Sequence, residues 1–341
     1  MTESQTYFSL SREDKIDALE VAASKLGRPA DLLEKDIWVV WVLEALFDSA
    51  LGEHLVFKGG TSLSKVYKAI DRFSEDVDLT YDIRQIIPDL IKDPDDPYPP
   101  SRSQAQKWTE AVRDRLGEWV ASKVAPILSD KVKAAALPAE IRVEGDKIYL
   151  NYDAVRSGSG YVRSSVLLEF GARSTGEPAQ GHEVICDLSQ ALPELLMPVA
   201  TPRVMMAERT FWEKATAIHA YCLRGAFRGG DRYARHWYDL DRLQIVGIAA
   251  RALEDKPLAQ DVAKHKQHFF RETDRSGATI SYAEAVSGSL CLIPEGAALE
   301  ALAQDYQKML EAGLLQSDAI AFDDLMARLM ALQNQANTRP K

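Results

Sequence analysis

The stretch FKGGTSLSKVYKAIDRFSEDVDL, residues 57 to 79, decides how this sequence is read. LVF, residues 55 to 57, is a short apolar run of strand character. KGGT, residues 58 to 61, makes a turn, SLSKVYKAI, residues 62 to 70, has helical spacing, and DVDLTYD, residues 76 to 82, reads as a second strand. The order is strand, glycine-rich turn, helix, strand.

The residues in that frame point to chemistry. Gly59 and Gly60 let a backbone approach a ligand closely. Thr61 and Ser62 supply hydroxyls or cap the helix that follows, and the free N–H groups of a helix start suit phosphate oxygens. On its own, GGTS is also compatible with a plain turn and cap. Asp76 and Asp78 sharpen the reading, because two-residue spacing on a strand places both carboxylates on one face. Two like charges that close need a neutralising partner, and Mg²⁺ is a natural one. A carboxylate pair of this kind can bridge metals in phosphoryl or nucleotidyl transfer; the bland alternative is a solvent-facing strand edge.

Outward from this block, ALEVAASKLG and DLLEKDIWVVWVLEALFDSA read as helices before it. Residues 93 to 103 are rich in Pro and Asp and form a loop, followed by a helical run over about 104 to 124. IRVEG, IYLNY, VRSSVLLEFGA and VICDL have strand character, so a mixed sheet extends through the middle of the chain. Beyond Pro202 the periodicity is mainly helical, in ERTFWEKATAIHAYCL, RYARHWYDLDRLQIVGIAARAL, ALEALAQDYQKMLEAG and FDDLMARLMALQNQA. The expected division is residues 1–200, N-terminal helices and core, and residues 201–341, a helical C-terminal domain.

Composition narrows the function classes. With 341 residues and 46% apolar side chains the chain can bury one large core or two ordinary ones, which excludes a disordered scaffold. The start MTESQTYFSL lacks a secretory leader, and runs such as Ile37 to Leu43 are too short to span a bilayer, so a cytoplasmic protein without membrane contact is expected. Cys186, Cys222 and Cys291 are odd in number and far apart, hence buried thiols, not a disulfide framework. HKQH, residues 265 to 268, lacks partners for zinc and reads as a polar helix face. The net charge of −10 discourages general nucleic-acid binding but permits a local basic groove. Arg224, Arg228, Arg232 and Arg235, then Lys264, Lys266 and Arg271, are either solvated helix faces or phosphate contacts.

KGGTSLSKVY followed by RFSEDVDL resembles the AbiEii/AbiGii nucleotidyltransferase toxins, the enzyme half of type IV toxin–antitoxin pairs. They belong to the DNA polymerase β-like nucleotidyltransferase superfamily. GGTSLSK lacks a full P-loop pattern, and no GxGxxG is present. The resemblance extends to EKDIWVVWVL (34 to 43), RTFWEKATAIH (209 to 219) and RHWYDLDRL (235 to 243), and loosely to the C-terminal helices. It implies an α/β fold: a polymerase β-like mixed sheet with flanking helices and a mainly helical C-terminal domain.

The resemblance also implies roles. Asp76 and Asp78 would hold metal, Mg²⁺ or Mn²⁺. Gly59, Gly60, Thr61, Ser62 and Lys65 would hold the NTP phosphates, with Lys58 and Arg72 as lesser candidates that could equally face solvent. Lys214 would be the phosphate or catalytic lysine. Asp239 would position Lys214, the acceptor or a metal-bound water; its bland alternative is a helix salt bridge with Arg235. Glu169, ending VLLE, is the candidate third carboxylate, with Asp187 as competitor and Arg173 as a plain ion-pair partner. The expected reaction transfers a nucleoside monophosphate from an NTP to an acceptor, tRNA by analogy with some relatives, and inhibits growth in phage defence. A protein-modifying nucleotidyltransferase or kinase, and a noncatalytic NTP-binding regulator, are the alternatives. The expected partner is an adjacent-gene antitoxin that need not bind stably.

Overall fold

The computed structural model describes residues 5–72, 76–155, 163–227, 232–312, 315 and 319–338. Its strands are β1 (Leu55–Lys58), β2 (Asp76–Tyr81), β3 (Ala139–Glu144), β4 (Lys147–Tyr152), β5 (Ser165–Gly171), β6 (Ala179–Gly181), β7 (Val184–Ile185), β8 (Val199–Ala200) and β9 (Arg203–Met205). The helices are α1 (Arg12–Leu26), α2 (Ala30–Phe47), α3 (Gly59–Lys65), α4 (Ile83–Ile86), α5 (Arg102–Trp119), α6 (Ala125–Ala134), α7 (Leu188–Ala191), α8 (Ala207–Arg224), α9 (Ala234–Ile245), α10 (Ile248–Glu254), α11 (Lys256–Phe269), α12 (Tyr282–Glu284), α13 (Ala297–Glu311) and α14 (Phe322–Thr338). A π-helical turn, Val120–Val124, joins α5 to α6.

The chain divides into two compact units. The first comprises residues 1–59, 75–90 and 110–204, and the second residues 60–74, 91–109 and 205–341.

The first unit is built on a seven-stranded mixed sheet of order β3-β4-β5-β2-β1-β9-β6. β2 runs antiparallel to β1 and parallel to β5, and β1 runs parallel to β9. Alternation sorts the side chains: Val77 and Leu79 of β2, and Val166, Leu168 and Phe170 of β5, are buried, while Asp76, Asp78 and Glu169 lie on the less buried face. Aromatic rings tie helices to the buried side. Trp38 of α2 stacks on Tyr152 of β4 at 5.1 Å, and Trp119 of α5 stacks on Tyr81 of β2 at 4.1 Å. β7 and β8 form a separate two-stranded ribbon, so VICDL does not extend the main sheet.

The second unit is helical. Phe211, Ala215, Ile218 and Cys222 recur at helical spacing on α8 and pack, with Trp212, against Trp237, Leu240 and Leu243 of α9. Leu63, Ala69 and Ile70 join the same core. Gly225 ends α8 in the left-handed conformation. Asp305 of α13 receives the backbone N–H groups of Arg232 and Ala234, capping the start of α9 across the fold.

One local expectation is corrected. The expected turn over 58–61 and helix over 62–70 are instead strand through Lys58 and helix over Gly59–Lys65. Lys68 follows with φ 49°, which a continuing helix does not allow.

Candidate active site

The sheet register assembles the carboxylates. Asp78 of β2 lies directly across from Glu169 of the parallel strand β5, and Asp76 lies across from Leu167. Residues paired across adjacent strands share a face, so Asp76, Asp78 and Glu169 all project from one side of the sheet. On the other flank of β2, Lys58 of β1 is paired with Asp78 and brings a cation to the same face.

Gly59 follows Lys58 with φ 75°, in the left-handed region. A Cβ there would collide with the Asp78 carboxylate. The glycine therefore serves two ends: it permits the turn from strand into helix, and it leaves the volume that the carboxylate occupies. Thr61 and Ser62 are buried in the first turns of α3, and Lys65 lies in its last turn.

Glu169 is ion-paired with Lys147 of β4, its cross-strand neighbour, and not with Arg173 as the plain reading had it. Asp187 lies between β7 and α7, where Arg28 pairs with its carboxylate and the Asp36 carboxylate accepts its backbone N–H. Of the two contenders, only Glu169 shares the strand face of Asp78. Among the described residues no three His, Cys, Asp or Glu side chains are gathered into a metal-coordinating group. Asp76 and Asp78 nevertheless fit a hard divalent cation: both are oxygen donors, both lie on one face, and the Gly59 cradle keeps space for one of them.

In the second unit Lys214 of α8 meets Asp239 of α9. The Lys214 Nζ donates to Asp239 Oδ2 at 2.9 Å. Arg72 grips the same carboxylate as a fork, Nε to Oδ1 at 2.6 Å and Nη2 to Oδ2 at 2.8 Å. The Asp239 side chain is fully buried, that of Arg72 is 5% exposed and that of Lys214 11%. Burial by itself would raise the Asp239 carboxyl; Arg72 and Lys214 outweigh it and hold it well below the ordinary carboxylate range. Desolvation, assisted by the Lys214 ammonium, pushes His236 down to about 3, so this neighbour carries no charge at neutral pH.

Asp239 is thus a two-cation clamp, not the partner of a single helix neighbour. Arg72 is the residue that sequence reasoning undervalued. The sequence suggests a phosphate contact or a solvent-facing cation, whereas Arg72 is buried against a carboxylate 167 residues further on. Lys147 was missed altogether, since a lone lysine opening a strand carries no signal until the register places it beside Glu169.

The chain matches the family model described as nucleotidyl transferase AbiEii toxin, type IV TA system, over residues 41–328. It belongs to that family. The match takes in the glycine turn, the Asp76–Asp78 strand and the helices of Lys214 and Asp239, so this AbiEii-family chain is a nucleotidyltransferase toxin of the type IV class. A solved structure that it resembles is MenT4, a nucleotidyltransferase toxin from Mycobacterium tuberculosis H37Rv, at 18% identity, with a TM-score of 0.45 and coverage of 97% of this chain and 91% of that one. No curated protein matches the chain at a significant level.

Several of the other sequence candidates have partners within the protein. Arg224 is ion-paired with Glu272 at 3.4 Å and donates to the carbonyl of Ala226. Arg228 lies outside the described residues. Lys264 pairs with Asp96 and lies over the Tyr98 ring, and Lys266 lies over Phe270. His265 of HKQH is buried against Phe269 and Phe270. The three cysteines are free thiols. No helix among the described residues is long and apolar enough to cross a membrane.

Proposed function

We propose that this toxin transfers a nucleoside monophosphate from an NTP to an acceptor hydroxyl, with tRNA as the acceptor. The observation that carries the reading is the carboxylate face: Asp76 and Asp78 two apart on β2, with Glu169 in register on β5 and Gly59 making room beneath Asp78. In this scheme Asp76 and Asp78 would hold a divalent cation, Mg²⁺ or Mn²⁺, with Glu169, now paired with Lys147, as the third carboxylate on the same face. The cation supplies charge neutralisation on the triphosphate and makes the acceptor hydroxyl easier to deprotonate.

The chain's own residues do the rest. The backbone at Gly59 and Gly60, with Lys65, holds phosphate oxygens, while Thr61 and Ser62, whose side chains are buried, shape the turn that presents them. Lys214, kept in place by Asp239, offsets negative charge that builds on the triphosphate as the bond to the leaving group lengthens. The acceptor oxygen forms a bond to the α-phosphorus, the bond from that phosphorus to the bridging oxygen breaks, and pyrophosphate departs. The acceptor proton leaves through a carboxylate of the same face. No histidine is needed in this scheme.

The tRNA acceptor rests on the activity of some relatives; Arg224, engaged by Glu272, adds nothing to it. An adjacent-gene antitoxin counteracts the toxin without needing a stable complex.

The deciding experiment offers each of four α-labelled NTPs with Mg²⁺ to total tRNA and to total protein. Wild type is compared with Asp76→Ala and Lys214→Ala. Label on tRNA that both substitutions abolish supports the proposal and names the nucleotide. Label on protein moves the acceptor to a protein side chain. NTP binding with no label in either pool makes the chain a nucleotide-dependent regulator and ends the proposal.

A further inference from the structure

We infer that Arg72 is a positioning residue for Lys214: its guanidinium fixes the plane of the buried Asp239 carboxylate so that Oδ2 faces the Lys214 ammonium. The inference rests on the reading that Lys214 acts on the NTP.

The geometry separates this role from the two that the sequence suggested. A phosphate ligand needs accessible donors, yet the Arg72 side chain is 5% exposed, and its Nε and Nη2 both go to Asp239. A solvent-facing cation is excluded by the same burial. The remaining reading is a plain structural ion pair. A buried pair is a weak source of stability, because desolvating two charges offsets most of their attraction. What this pair adds is geometry. A carboxylate held at one oxygen can turn about its Cβ–Cγ bond, whereas a planar fork bonding both oxygens fixes that rotation. Oδ2 is the oxygen shared by Arg72 and Lys214, so the orientation that Arg72 imposes passes directly to Nζ.

Three elements meet at this point: the segment after α3 supplies Arg72, α9 supplies Asp239 and α8 supplies Lys214. Arg72 also lies within the block that carries Gly59, Gly60, Asp76 and Asp78, between the glycine turn and the metal-binding pair.

The test is a double-substitution cycle on the full chain. Arg72→Ala lowers turnover by about 10- to 100-fold, the loss expected when a catalytic group is misplaced by about an ångström. In a Lys214→Ala background the same substitution has little further effect, since it acts through the lysine. Millimolar guanidinium restores turnover to Arg72→Ala by refilling the site, and does not restore it to the double variant. A merely destabilised protein shows neither behaviour. Arg72→Lys keeps a buried charge without the fork, carries the same cycle if Arg72→Ala fails to fold, and shows a partial loss that vanishes in the Lys214→Ala background. Additive losses, or a folded Arg72→Ala with wild-type turnover, overturn the inference.

Should wild type transfer no nucleotide to any acceptor, the reading of the reaction fails, and a crystal structure of the Arg72 variant still tests the positioning. The Lys214–Asp239 contact opens, and closes again in crystals soaked with guanidinium. A contact unchanged from 2.9 Å overturns it.

Discussion

At the scale of single residues, two carboxylates of like chemistry sit in opposite surroundings. Asp78 lies on the partly exposed sheet face, whereas Asp239 is closed off from water and gripped by two cations. Their substitutions should separate accordingly. Asp78→Asn keeps the shape of the side chain on a partly exposed face, so the fold is expected to hold while turnover falls by about 1000-fold, equivalent to several kcal/mol of lost transition-state stabilisation. Labelled-nucleotide transfer alongside thermal unfolding checks both halves. Asp239→Ala leaves the Arg72 guanidinium buried without its partner carboxylate and should cost about 3–5 kcal/mol, read by urea unfolding. Replacing Arg72, Lys214 and Asp239 together by Met, Met and Leu, which removes both cations with their carboxylate, should recover most of that stability but not the activity. A triple variant as unstable as Asp239→Ala would show that the cost comes from shape, not from the orphaned charges.

The strand-to-helix step from β1 into α3 shows at the scale of elements why a glycine stands at position 59. Gly59 has φ 75° and faces the Asp78 carboxylate, so a methyl group there would both strain the backbone and displace a proposed metal ligand. Gly59→Ala is expected to destabilise by about 1–2 kcal/mol through the left-handed backbone. It should also lower turnover more than that stability loss explains, because Asp78 must move. Activity that survives at wild-type level in a folded Gly59→Ala would separate this glycine from the chemistry. On α8, Trp212 is buried in the core and donates its indole N–H to the Ala252 carbonyl at 2.9 Å. Trp212→Ala should cost about 3–5 kcal/mol by chemical denaturation, among the larger single effects in the helical unit.

Across the whole molecule, acid stability is set by groups that burial keeps neutral or paired. His219 of α8 is desolvated, with its pKa down to about 4 from 6.5, and its Nδ1 accepts the backbone N–H of Cys291. Desolvation likewise holds His236 near 3. Below pH 6.5 the unfolded chain binds protons that the folded chain refuses. Stability is therefore full above about pH 6.5 and falls as pH drops toward 4, by as much as about 3 kcal/mol from His219. Asp239, depressed below the carboxylate range, loses its contribution only at more acidic pH still. Unfolding measured between pH 7 and 4 should show this slope, and His219→Gln, which keeps an acceptor for Cys291, should flatten it. An equal slope in that variant would assign the acid sensitivity elsewhere.

Much of the candidate site's layout was legible in the sequence because its parts are local. The period of a strand places Asp76 and Asp78 on one face wherever that strand goes, and the two downstream helices and the mixed sheet follow from short-range pattern, as does the glycine-rich step from strand to helix, though not its bounds. Three things required the folded chain. Pairing of β2 with β5 brought Glu169 across from Asp78 and left Asp187 to Arg28, a choice that strand register makes and spacing does not. Lys147 became the partner of Glu169 for the same reason. Arg72 found Asp239 across 167 residues, through the packing of Leu63, Ala69 and Ile70 into the helical core. Periodicity reports which side of its own element a residue occupies; only burial of those elements against one another decides which charge it meets there.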